Sequence, residues 1–279
     1  MKRIWFPLLV ISVILFAVGV ALLAQSPAGP NQTVVPPLVL YDDFNGPRID
    51  PTKWNDWMGS VSMREVVREI SPSYQGQGNN GRLRLFQRAY SERFSDTGAT
   101  YGGLGLQFTN PTVIREVSFD IAVTTATVSG CQGNPSAGST AWTGFVGRFF
   151  NSGSGNGDDD VMGDIGLFRE STDLAGAPLR VQATLSSGAG YYDSRTLGYV
   201  ALGQTAKLHL KWDPVNHQFV FQLNRDPVVP IGYGFSDTNP AAVPFKEFYA
   251  SRGVPNCTTT PLGSAVMDTY FDNVYVNPY

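Results

Sequence analysis

Apolar and polar residues alternate along most of this chain, most clearly over residues 207–224. Leu208, Leu210 and Trp212 fall on one face of a first segment, and Phe219, Phe221 and Leu223 on one face of a second. A period of two belongs to a sheet with one face in a core and the other near water. Between the segments, Asp213-Pro214-Val215-Asn216 is turn sequence: proline fixes one backbone angle, and the Asp and Asn side chains bond locally. The pattern predicts an antiparallel hairpin.

The same reading predicts strands over 39–44, 60–70, 82–89, 103–108, 113–123, 143–150, 164–169, 180–185, 197–201 and 269–276. In 82–89, Leu83, Leu85 and Gln87 share one face and Arg82, Arg84 and Phe86 the other. Clusters of Gly, Asn, Ser and Pro punctuate almost every gap. No stretch after Ala24 carries a long apolar period of 3.6. Many short strands without helices predict an all-β sandwich or barrel.

Composition agrees and narrows the classes. Charged residues are only 15% of the 279, while hydrophobic residues reach 42%, which excludes a disordered chain. The net charge of −3 and the scattered Lys and Arg give no basic footprint for nucleic acid. At the N-terminus, Lys2 and Arg3 precede an apolar run, Ile4 to Ala24, and a polar stretch opens at Gln25. This predicts a secretory signal over 1–24. The alternative is an uncleaved membrane anchor, because about 20 apolar residues span a bilayer. A proline-rich linker, 25–37, leads to one folded domain, 38–279. Cys131 and Cys257 lie in loop sequence, and an oxidising compartment favours their pairing over two separate buried thiols.

Three segments together resemble the concanavalin A-like jelly roll of legume lectins, laminin-G-like domains and laminarinase-type β-glucanases. The first runs from Leu40-Tyr41-Asp42-Asp43-Phe44-Asn45-Gly46 to Lys53-Trp54. The second is Asn80-Gly81-Arg82-Leu83-Arg84-Leu85. The third joins the hairpin to Tyr270-Phe271-Asp272-Asn273-Val274-Tyr275-Val276. The resemblance implies two stacked antiparallel sheets whose first and last strands meet, with Trp54 sealing the core. It also implies a structural calcium ion held by Asp272, Asp43 and the backbone of Gly81.

The β-glucanases of that superfamily work with a strand written Glu-x-Asp-x-(x)-Glu, which aims its acids at one cleft, with the two catalytic carboxyls about 5 Å apart. This sequence departs from the motif. Glu116 and Asp120 share a strand face, but Ser118 stands between them, and the segment comes too early. Glu65 and Glu69 have the outer spacing with Val67 between, and come earlier still. The expected place, after 143–150, holds Asp158-Asp159-Asp160-Val161-Met162-Gly163-Asp164-Ile165-Gly166, with no Glu pair. The Asp158–Asp160 run reads either as a solvated loop or as a calcium site.

The leading expectation is therefore a secreted or surface-exposed, non-catalytic carbohydrate-binding domain. Sugars call for aromatic faces and polar side chains. Trp57 and Trp142 are the first candidates for such platforms, followed by Tyr101, Tyr191, Tyr192 and Tyr233, with Phe235 beside them. Two alternatives stand: a glycoside hydrolase or polysaccharide lyase of the same fold with displaced carboxylates, and a structural adhesion protein.

Overall fold

The alternating segments pair into two antiparallel sheets that bury their apolar faces against each other. The computed structural model describes residues 37–59, 65–71, 81–91, 99–131, 138–153, 155–257 and 260–278; for 57–59, 65–71 and 99–102 it describes backbone alone. Residues 36–279 form one compact unit. The segment 1–24, and the linker as far as residue 36, lie outside the described residues.

The strands are β1 (Val39–Asp42), β2 (Trp54–Gly59), β3 (Glu65–Ser71), β4 (Arg82–Tyr90), β5 (Ala99–Phe108), β6 (Glu116–Ser129), β7 (Thr140–Asn151) and β8 (Asp160–Glu170). There follow β9 (Leu179–Ser187), β10 (Tyr192–Val200), β11 (Thr205–Asp213), β12 (Gln218–Leu223), β13 (Val229–Gly232), β14 (Asn239–Pro240), β15 (Lys246–Pro255) and β16 (Ser264–Val276). Sheet A runs β13-β12-β11-β6-β16-β4-β3, with β1 also on β16. Sheet B runs β10-β9-β8-β7-β15-β5-β2, with β14 also on β7.

The predicted hairpin is β11–β12, and its register joins Leu208 to Leu223, Leu210 to Phe221 and Trp212 to Phe219. The turn closes as its chemistry requires, with the Asn216 side chain donating to Asp213 Oδ2 over 2.7 Å. Between the sheets, Phe248 of sheet B meets Phe119 at 4.9 Å and Phe271 at 5.0 Å, ring centre to ring centre. Such aromatic contacts add to the burial of apolar area that holds the layers together. The chain ends do meet, Val39 opposite Val276. Trp54 is buried beside that join and donates its indole N–H to Asp42 Oδ2 over 2.6 Å. Cys131 and Cys257 form a disulfide.

Several boundaries differ from the sequence reading. Residues 111–113 form a 3-10 turn rather than a strand start. β7, β8, β10 and β16 begin several residues before the predicted segments. Four strands, β2, β13, β14 and β15, fall outside the predicted segments. β15 lies at the centre of sheet B between β7 and β5. Its alternation is hidden because Lys246, Glu247 and Arg252 are all buried, at 2%, 5% and 0% exposure. Lys246 is accommodated because Gly147 opposite it has no Cβ to collide with its stem. The Lys246 ammonium then donates to Pro111 O and Arg148 O over 2.8 and 3.1 Å and sits over the Phe149 ring.

Candidate functional site

The outer face of sheet B carries a patch that no single strand contains. Register sets Gln107, Glu247, Val146, Asp164 and Thr184 in one row across the strands. The next row is Trp57, Gly105, Tyr249, Gly144, Gly166 and Gln182, and the third is Gly103, Ser251, Trp142, Phe168 and Arg180. Half of the middle row is glycine. Glycine within a strand marks close approach of another backbone or side chain, and here it marks both. A Cβ at Gly144 would run into Ile165 O, and one at Gly166 into Thr143 O. The bare backbone at Gly144 also lets the Tyr249 side chain cross β7 and donate to Asp164 Oδ2 over 2.7 Å.

Beyond Tyr249 a pocket of about 280 Å³ opens over Gly166. Trp142 and Phe168 form one wall, their rings 6.1 Å apart. Asp164, Gln182, Thr184 and Ser186 supply polar groups, and Tyr192, largely exposed, closes the far side. The Arg180 guanidinium packs over Phe168 at 4.9 Å and reaches Glu170 Oε1 at 3.1 Å.

Two acids on this face are far from their ordinary state. Burial pushes Asp164 up to about 7, and the charge of Glu247 adds to the effect, against the hydrogen bond from Tyr249. Burial likewise pushes Glu247 up to about 7, opposed by the bond from Gln107 Nε2 at 2.9 Å. Near neutrality each is poised between a carboxylic acid that donates and a carboxylate that only accepts. Burial and the neighbouring Asp164 push the Tyr249 phenol well up, so it stays a donor.

Of the residues proposed from sequence, Trp142 and Tyr192 line this pocket. Trp57 holds a place in the middle row, and Tyr101 of β5 pairs in register with Gly253 of β15; their side chains lie outside the described ones. Tyr191 and Tyr233 belong elsewhere. Tyr233 is 8% exposed inside the core, donates to Asp237 Oδ2 over 2.6 Å and accepts from the Trp212 indole. Tyr191 packs on the core edge-on to Phe235 and donates to Gly232 O.

The carboxylate pairs weighed from sequence lie on the other side of the sandwich. Glu116 meets His209 Nε2 at 2.8 Å and Lys211, and Asp120 meets Lys207 at 2.7 Å, an ion-pair ladder on the outer face of sheet A. Glu65 and Glu69 pair in register with Arg88 and Arg84 of β4, in sheet A. Glu116 and Asp120 do not line the pocket, and β3 belongs to the sheet opposite it. Sequence reasoning missed Phe168, Tyr249 and Glu247; the signal it passed over was glycine at 144 and 166 inside strand patterns.

The Asp run is structural at its last member. Burial alone would raise Asp160, but Asn151, the backbone N–H groups of Val243 and Ala242, and Arg148 outweigh it and hold the carboxyl low. Asp158 belongs to a 3-10 turn capped by Asn156. Among the described residues, no three His, Cys, Asp or Glu side chains converge as a metal site. Asp272 is nevertheless pushed up by burial, with the charges of Asp120 and Asp43 adding to it; Arg82, 3.7 Å away, opposes.

Two stacked antiparallel sheets in this strand order define a concanavalin A-like jelly roll, an all-β class that carries many functions. No protein-family model matches the chain, and no curated protein does. Solved structures do match. A β-1,3-glucanase from Mycobacterium marinum is 14% identical, over 85% of this chain and 99% of that one, with a TM-score of 0.41. A laminarinase from Flavobacterium sp. UMI-01 is 14% identical over 85% and 98%, with a TM-score of 0.49. SCLam, a non-specific endo-β-1,3(4)-glucanase from family GH16, is 16% identical over 85% and 91%, with a TM-score of 0.44.

Proposed function

We propose that this protein is a lectin-like domain that binds a glycan on the outer face of sheet B. The observation that carries this reading is the Trp142–Phe168 wall beside the bare backbone of Gly166, with Gln182, Thr184, Ser186 and Asp164 facing it. An aromatic wall offers a pyranose ring its apolar face, while amide, hydroxyl and carboxyl groups answer its hydroxyls. A pocket of about 280 Å³ is at the small end for ligand sites, so it holds part of a chain rather than engulfing one. Glycan-array or polysaccharide pull-down binding, lost in Trp142→Ala, is the test; a protein that retains no glycan of any class contradicts the reading.

A second reading is a glycoside hydrolase or polysaccharide lyase with displaced acids. Asp164 and Glu247, not the four acids of sheet A, would then do the chemistry. The specific observation is that both stand in one row with raised pKa values near 7, where a group can give or take a proton at neutral pH. Release of reducing ends or of unsaturated sugars from a polysaccharide panel, abolished in Asp164→Asn, separates catalysis from binding.

Export across a membrane, with 1–24 removed or kept as an anchor, belongs to the same proposal, as does a calcium ion at Asp272, Asp43 and Gly81. N-terminal sequencing of the mature protein decides the first: a start between Leu22 and Pro30 means cleavage, and Met1 on membrane-bound material means an anchor.

A further inference from the structure

Arg252 points into the sandwich. It shares the inward face of β15 with Phe248, Ala250 and Val254, all core residues, and none of its surface is exposed. Among the described residues, none offers a hydrogen-bond partner to any of the three guanidinium nitrogens. Two other polar side chains in the interior share this condition: Gln87, at both amide atoms, and Thr269, at its hydroxyl, each fully buried.

Register brings the three to one layer. Phe248 of β15 and Phe271 of β16 touch across the sheets at 5.0 Å. The chain passes directly from β15 to β16, so the two strands run in opposite senses. Four residues on from Phe248 is Arg252. Four back from Phe271 is Met267, whose partner on β4 is Gln87; Thr269 is the next inward position on β16. The neighbours are small. Arg252 is flanked in its own sheet by Gly102 and Ala141, and Ala265 pairs with Ala89 in the sheet opposite. Small residues leave room for a long side chain.

A guanidinium does not lose its proton inside a protein. Burial pulls Arg252 down only to about 10, so it is charged at neutral pH. Among the described residues no acid contributes to that shift. A buried charge without a counter-charge is costly, and Gln87 and Thr269, on inward positions of the sheet opposite, each carry a group that can donate. We propose that Arg252, Gln87 and Thr269 form an interior binding site for a small monovalent anion of the halide class.

The test uses the whole protein. Chloride replaces gluconate, an anion too large for the interior, at constant ionic strength while melting is followed. Each tenfold rise in chloride above its dissociation constant should raise Tm by about 3–6 °C, and Arg252→Met should remove this dependence. A bromide-soaked wild-type crystal gives a reading that does not depend on any variant folding: an anomalous peak at the guanidinium supports the site. Equal Tm in the two salts, or ordered water alone at Arg252, overturns it.

Discussion

The Tyr249 hydroxyl reaches Asp164 Oδ2 across an intervening strand, over 2.7 Å, because residue 144 between them is glycine. Gly144→Ala would place a methyl group against Ile165 O. Overpacking of this kind costs about 1–3 kcal/mol. Urea unfolding should show that loss, and glycan binding should fall with it because Tyr249 can no longer lie flat.

Stability should pass through a minimum near pH 7. Asp164 and Glu247 have folded pKa values near 7 against ordinary values of 3.8 and 4.5. Between pH 4 and 7 the folded state therefore holds more protons than the unfolded one, and stability falls as pH rises through that window. Lys246 is shifted the other way, by burial first and then by Arg115, from 10.5 to about 7. Above pH 7 the unfolded state holds the extra proton, and stability climbs again toward pH 10. Denaturation midpoints across pH 4–10 measure both limbs. Asp164→Asn should flatten the falling limb and Lys246→Met the rising one.

Trp142 and Phe168 should contribute unequally to binding and little to folding. Trp142→Ala removes an aromatic face worth about 0.5–1.5 kcal/mol beyond its area, so glycan affinity should drop by about tenfold or more by calorimetry. Tyr233→Phe should leave affinity unchanged and lower stability by about 1 kcal/mol, because it deprives the Trp212 indole and Asp237 of partners.

Reduction should weaken the fold markedly. Cys131 and Cys257 are 126 residues apart, and closing so long a loop contributes about 4–5 kcal/mol in the chain-entropy view. A melt with and without reductant, repeated on the double Cys→Ser variant, measures it; identical curves for oxidised and reduced protein contradict this figure.

Calcium should raise the melting temperature through Asp272. The expected result is a Tm that falls on adding chelator in the wild type and is already low and insensitive in Asp272→Ala. A wild-type melt indifferent to chelator removes calcium from the proposal.

Much of the fold was legible. Alternation exposed the β11–β12 hairpin residue for residue, and placed Gln87 on the inward face of β4 with Leu83 and Leu85. The pocket was legible only in fragments. Trp142 stood out as an aromatic residue in glycine-rich sequence, but so did Tyr233, and nothing local distinguishes a ring on an outer face from one under a loop. β15 was invisible for a stated reason: three buried charged or polar residues erase its pattern, yet it supplies Tyr249 and Glu247.

The sequence by itself determined the all-β class, the alternation of faces along most strands, the Trp54 anchor and a cysteine pair able to bond. The class and the faces follow from a period of two, a property of neighbours along the chain; the Trp54 anchor follows from the resemblance, and the cysteine pair from the loop sequence around both residues. Only the tertiary structure decided that residues 107, 142, 164, 182 and 249 share one surface while 116 and 120, and the strand that holds 65 and 69, belong to the opposite sheet. Lateral neighbours in a sheet depend on strand order and register, and those are fixed by how two whole layers pack.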